Sequence, residues 1–217
     1  MKCSVCSTEI LENYCPKCGQ HFKNERISIR TIFSDLFGNI FSLEKSFFKN
    51  MKVALYQPKM LISNYWNGFR GYYYSPSRFL TIAALFFILQ ISVANDFFGI
   101  HVFSKFAQQF TLLFVFILLF SLLSFIIYFR FKKNFYEHLI LNIYNVSLWS
   151  IIFVPISLIL SLFNADITLK TIFLFFFMLL IVIWNSKAFE MNKIKRFLYI
   201  TINYLIVMLI PLIISKY

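Results

Sequence analysis

All four cysteines of the chain lie near its start, at Cys3, Cys6, Cys15 and Cys18. Two C-x-x-C pairs, eight residues apart, make the donor set of a small closed four-coordinate site, with structural Zn2+ as the expected occupant. A four-thiolate iron site or a redox-active pair would draw on the same residues. In Cys15-Pro16-Lys17-Cys18-Gly19 the proline presets φ for a tight turn, and the glycine accepts positive φ behind the second sulfur. That turn aims backbone N–H groups at the sulfurs and favours thiolates. Cys3-Ser4-Val5-Cys6 lacks both helpers and reads as the weaker half. A segment this short builds no core, so residues 1–22 are expected to be a zinc ribbon or knuckle that is unfolded without its ion. Four thiolates leave no open coordination position, so no chemistry is expected at the metal.

The second polar constellation is Asn134-Phe135-Tyr136-Glu137-His138, followed by Asn142, Asn145 and Trp149. His138, Asn142, Asn145 and Trp149 are spaced by 4, 3 and 4 residues, which puts them on one helical face. Such a stripe can line a cavity or bind a ligand; more commonly it hydrogen-bonds neighbouring helices. Glu137 and His138 are adjacent, so their side chains diverge and do not form a metal pair. Pro155 and Pro211 mark kinks, Ser124, Ser157 and Ser161 suit packed helices, and Asn203 needs a partner across a bundle. There is no Gly-rich phosphate loop, nucleophile elbow, His-x-x-x-His pair or carboxylate cluster, so the chain is not expected to be an enzyme.

The elements that carry these residues belong to a membrane. The 217 residues are 59% hydrophobic and only 14% charged, with a mean hydropathy of +0.72, whereas soluble domains are about a quarter charged. The fold class is therefore an all-α integral membrane protein. Apolar runs near 79–94, 110–128, 139–163, 171–184 and 197–214 make up a helical transmembrane domain over 79–217 with about five spans. None carries Asp, Glu, Lys or Arg, which weakens an ion-coupled transporter reading. Lysines and arginines number eleven over residues 1–78, three over 129–138 and four over 185–196. The alternate segments 95–109, 164–170 and the C-terminal tail hold one each. By the positive-inside rule the head is cytoplasmic and the C-terminus outside. Thiols free to hold metal fit a reducing cytosol, and no signal peptide is expected from a polar, cysteine-rich start.

Between head and spans, residues 27–78 read as amphipathic interfacial helices. Ser28 is a plausible N-cap, and Ile29, Ile32, Phe33, Leu36, Phe37, Ile40 and Phe41 follow a helical period. Pro58 opens a second helix, which Gly68 and Gly71 end. Trp66, Arg70, Tyr73 and Arg78 are expected to anchor this stretch among headgroups, and the net charge of +12 is expected to meet anionic lipid rather than nucleic acid.

A combined pattern emerges. It joins Tyr14-Cys15-Pro16-Lys17-Cys18-Gly19-Gln20, Leu43-Glu44-Lys45 within Phe41–Phe48, Gln57-Pro58, Ile62, Gly68-Phe69-Arg70, a tyrosine cluster, Pro76, and Glu137-His138-Leu139. From residue 3 to about residue 150 it resembles an uncharacterised bacterial family, a domain of unknown function, of zinc-ribbon-headed multi-span inner-membrane proteins. The resemblance implies a zinc head at Cys3, Cys6, Cys15 and Cys18 and a helical membrane domain, and supplies no activity. The leading expectation is an adaptor or assembly protein of the bacterial cytoplasmic membrane, whose head docks a protein partner. The alternative is a small-solute transporter or channel using the Glu137, His138, Asn142 and Asn145 region.

Overall fold

The computed structural model of the chain describes residues 2–10, 13–22, 26–32, 47–70, 72–94, 96–100 and 108–214. Most of the first amphipathic stretch, residues 33–46, lies outside them. The described part is mostly helical: α1 (Phe47–Tyr56), α2 (Pro58–Trp66), α3 (Pro76–Val93), α4 (Gln108–Ile127), α5 (Phe135–Leu162), α6 (Ile167–Lys187) and α7 (Lys193–Ile214). Every apolar run of the sequence became a helix, lengthened by flanking residues. Two of them, α5 and α6, are long and apolar enough to cross a membrane, by length and composition. Among the described residues, the apolar segments Pro76–Gln90 and Thr111–Ile127 are shorter, so two helices rather than the expected five meet this test.

The long helix α5 is central and packs against α3, α4 and α6, while α7 packs on α6. Local chemistry sets where α5 begins. Lys132 adopts the left-handed conformation at φ 54° and ends the short 3-10 turn Phe129–Phe131. The Asn134 side chain then accepts the Glu137 N–H, and the Glu137 carboxylate accepts the Asn134 N–H, both at 2.7 Å. This reciprocal capping box satisfies two donors that the helix start would leave bare. Pro155 lies inside α5 without ending it.

The shorter helices α1 and α2 cover one end of the bundle. Ala54, Leu61, Ile62 and Tyr65 are buried there. Trp184 Nε1 of α6 donates to the Ala54 carbonyl at 2.8 Å, and the Tyr144 hydroxyl of α5 donates to the Tyr74 carbonyl at 2.7 Å. These helices pack their apolar residues on the bundle. Two short strands, β1 (His21–Phe22) and β2 (Phe69–Arg70), pair antiparallel with His21 opposite Arg70 and Phe22 opposite Phe69. The cysteine-rich segment is thereby seated on the same end of the bundle.

Opposite that end, the loop after α3 folds into the helices. Phe97 and Phe98 are fully buried. Phe97 touches the rings of Phe87, Phe116 and Phe177, and Phe98 those of Phe153 and Phe173. This aromatic plug fills the interior between α3, α4, α5 and α6.

Candidate metal centre

The two cysteine pairs are brought together by two turns of the same construction. In the first, the Ser7 N–H donates to the Cys3 carbonyl at 3.0 Å and the Cys3 N–H to the Thr8 carbonyl at 2.8 Å. In the second, the Gly19 N–H donates to the Cys15 carbonyl and the Cys15 N–H to the Gln20 carbonyl, both at 2.9 Å. The first turn is thus not deficient in backbone bonds, contrary to its lack of proline and glycine. Ser7 takes the positive φ itself, at 58°.

The four Sγ atoms lie within 4.8 Å of one another. The closer pairs are Cys6 to Cys15 at 3.4 Å, Cys3 to Cys18 at 3.5 Å and Cys6 to Cys18 at 3.7 Å. A tetrahedron of bonds about 2.3 Å long has sulfur–sulfur edges of about 3.8 Å, so the cluster is of the size a metal ion needs. All four thiols are free, and these separations are far beyond the roughly 2.05 Å of a disulfide.

The surroundings fit the same occupant. Cys3 Sγ lies 3.0 Å from Gln20 Oε1, and Gln20 Nε2 is buried without a partner. Turning that amide by half a rotation puts its N–H donor on Cys3, as a metal-bound thiolate requires. The Thr8 hydroxyl, then its backbone N–H, hold the Cys6 thiol down at about 6. Burial pushes the Cys18 thiol up to about 12, so full deprotonation of the cluster calls for a bound cation. Cys3, Ile10 and Cys15 form a small core closed by Phe22 and by Phe69 from β2. The set is therefore compatible with a metal ion held by Cys3, Cys6, Cys15 and Cys18, with Phe69 of β2 supplying one wall.

The head is clamped to α5 at a second place. Arg26 Nη2 lies 3.1 Å from Glu137 Oε2 and donates to the Lys132 carbonyl at 3.1 Å, while Lys133 Nζ reaches Glu137 Oε1 at 3.6 Å. Asn134 Nδ2 donates to the Ile27 carbonyl at 3.0 Å. Glu137 is thus a buried carboxylate between two cations at the mouth of the capping box.

His138, Asn142 and Asn145 are fully buried on one face of α5. His138 Nδ1 pairs with Ser124 Oγ at 2.8 Å, and its ring stacks on Phe189. Asn185 of α6, which sequence reasoning missed, completes the stripe. Its Nδ2 donates to Asn142 Oδ1, and its Oδ1 accepts from Asn145 Nδ2, each at 2.9 Å. Asn145 also donates to the Ile181 carbonyl and Asn142 to the His138 carbonyl. These amides bind helix to helix.

The four expected headgroup anchors are placed differently. Trp66 is buried; its Nε1 donates to the Glu137 carbonyl at 3.1 Å, with Lys133 Nζ 4.5 Å from its ring centre. Arg70 is also buried, with its guanidinium 5.0 Å from the Tyr65 ring centre. Packing of α2 on the bundle turns Trp66 inward, and Arg70 is covered at its place in β2. Tyr73 and Arg78 are half-buried, the latter 5.3 Å above the Tyr74 ring.

The ion pair between Asp96 and Lys170, 3.0 Å apart, was not foreseen either. Asp96 also accepts from the Gly99 N–H at 2.8 Å and from the Ser161 hydroxyl at 3.0 Å. Burial works to raise its pKa, but the Lys170, Gly99 and Ser161 bonds outweigh it and hold the carboxyl below the usual carboxylate range. The only signal was that Asp96 and Lys170 sit in charge-poor loops that flank apolar runs.

No protein-family model matches the chain, nor does any curated protein or solved structure.

Proposed function

We propose that the chain is an integral protein of a bacterial cytoplasmic (inner) membrane, whose cytosolic zinc-binding head docks a protein partner. In this reading α3 to α7 all cross the bilayer, the head stays in the cytosol and the C-terminus lies outside. Membership of the zinc-ribbon-headed family is part of the proposal. The observation that carries it is the seating of the head. The four-cysteine cluster shares a wall with Phe69 and is tied to α5 through Arg26 and Glu137, so it is held at a set place while Tyr14, Pro16 and Lys17 stay exposed. A rigid metal module that presents an outward face and catalyses nothing is suited to docking.

The test is affinity capture from native membranes, comparing the wild type with a Cys15→Ser, Cys18→Ser double variant, alongside metal analysis of both purified proteins. One zinc per wild-type chain, with a partner that the variant loses, is the expected result. Identical partner lists would sink the adaptor reading, and a wild type carrying iron would sink the zinc.

A channel or transporter remains the second reading, because Asn145 Oδ1 and Trp149 Nε1 are buried without partners. Flux through liposomes that Asn145→Leu alters would favour it. The bonding of Asn142 and Asn145 to α6 supports the structural role instead.

A further inference from the structure

The seated end of the bundle carries a cavity of about 510 Å³ between the turn after α4 and the start of α7, lined by Arg130, Phe131, Glu190, Asn192, Lys195 and Tyr199. Its volume is within the roughly 300–1,000 Å³ of small-ligand pockets. Arg130 and Lys195 are exposed, and neither has an ionic partner among the described residues. The single carboxylate, Glu190, is bound to Lys59 at 2.7 Å, so it does not cancel the two cations. Phe131 packs on Phe189, which stacks on Tyr128, which stacks on Tyr199. These rings give the cavity a rigid aromatic wall.

Two rows of exposed apolar side chains run along α4 and α7, the helices that flank the cavity. On α4 the row is Leu118, Leu122 and Ile126, continued by Phe129 beside Arg130. On α7 it is Ile194, Leu198, Ile202, Leu205 and Leu209, beginning beside Lys195. Their helical spacing keeps each row on one face. Cations at the end of apolar tracks match a molecule with a negative head and hydrocarbon tails.

We propose that this cavity is a specific site for one anionic phospholipid. Its phosphodiester is held between Arg130 and Lys195, and its chains lie along the apolar rows of α4 and α7. The inference rests on the membrane reading above and adds a defined lipid contact to it.

The test is native mass spectrometry of the full chain purified in detergent and titrated separately with phosphatidylglycerol, phosphatidylethanolamine and phosphatidylcholine. One saturable copy of phosphatidylglycerol is expected, bound at least about tenfold more tightly than the other two. In R130Q/K195Q that preference falls by about tenfold or more. In K52Q/K187Q, which removes two other cations, it is unchanged. Both double variants should melt like the wild type, since all four side chains are surface cations. Equal binding of the three lipids, or full retention of phosphatidylglycerol by R130Q/K195Q, would overturn the site. So would displacement of the lipid by soluble glycerol phosphate at matched concentration, which would mark a free-phosphate site. Carbonate extraction of native membranes separates the two levels of failure. Release of the chain into the aqueous wash would end the membrane reading itself, whereas retention with no lipid preference would end only the site.

Discussion

Ser7 stands to Cys3 as Gly19 stands to Cys15. Both adopt left-handed φ values, 58° and 67°, and each returns its N–H to the carbonyl of the cysteine four residues earlier. The site is thus assembled from two copies of one turn, one made with the residue suited to it and one with a residue that must be held there.

Substitution at the two places should have opposite signs. A Cβ at Gly19 meets nothing within 4 Å, so Gly19→Ala costs only the conformational term, about 1 kcal/mol, or roughly fivefold in metal affinity. Ser7→Gly should strengthen binding by less, because glycine also enlarges the unfolded ensemble. Competition with a chromophoric chelator measures both. A neutral Gly19→Ala would mean that the turn does not limit metal binding.

The Asp96–Lys170 pair should make stability depend on acid. With its pKa lowered in the fold, Asp96 contributes stability that is complete above the ordinary carboxylate value and is lost as pH falls through the folded value. Melting in detergent should therefore be flat near neutrality and drop in acid. Asp96→Asn should remove part of that drop and, by leaving the half-buried Lys170 unpaired, cost about 2 kcal/mol at neutral pH. The comparison is best made in the Cys15→Ser, Cys18→Ser background, where acid release of metal cannot contribute. An acid limb of the same size in Asp96→Asn would assign the drop to other groups.

Asn142 and Asn185 should be energetically coupled. Asn185→Leu leaves the Asn142 carbonyl oxygen bare at the α5–α6 contact and should cost about 1 kcal/mol. Asn142→Leu should cost a similar amount, and the double variant less than the sum, since the shared bond is lost only once. Additive costs from thermal melts would show that the amides do not act through one another.

At the head clamp, Glu137→Gln should cost more than Arg26→Ala. Glu137 serves two cations and the Asn134 N–H from a buried position, whereas the Arg26 side chain is 63% exposed and its bond is partly screened. Expected losses are about 2 kcal/mol for Glu137→Gln and under about 1 kcal/mol for Arg26→Ala. Amide exchange at Phe22 and Phe69 should speed up in Glu137→Gln. Unchanged exchange there would mean that the β1–β2 pairing alone seats the head.

The cysteine cluster was legible because its spacing is local and its donor type is chemically narrow. The helices were legible as apolar runs, and the amide stripe on α5 as a helical period. What stayed hidden depends on partners far along the chain. Asn185 lies in α6, forty-three residues from the Asn142 that it bonds. Two-residue strands such as β1 and β2 have no alternation to read. Trp66 and Arg70 have the composition of a headgroup belt, and only the docking of α2 and the pairing of β2 decide which way they face. In α4 and α6 the apolar residues surround the whole helix, so no periodicity announces the surface against which Phe97 and Phe98 pack.

The seat of the head also has an order in time. Phe22 must wait for Phe69, and Arg26 waits a further stretch of chain for Glu137, 111 residues along. All four cysteines leave the ribosome before either anchor exists. If it takes up a metal, the cluster can therefore close before it has a seat, and it finds its place on the bundle only once the start of α5 has been made. A head that fails to load metal would reach that moment with no formed surface to offer Phe69.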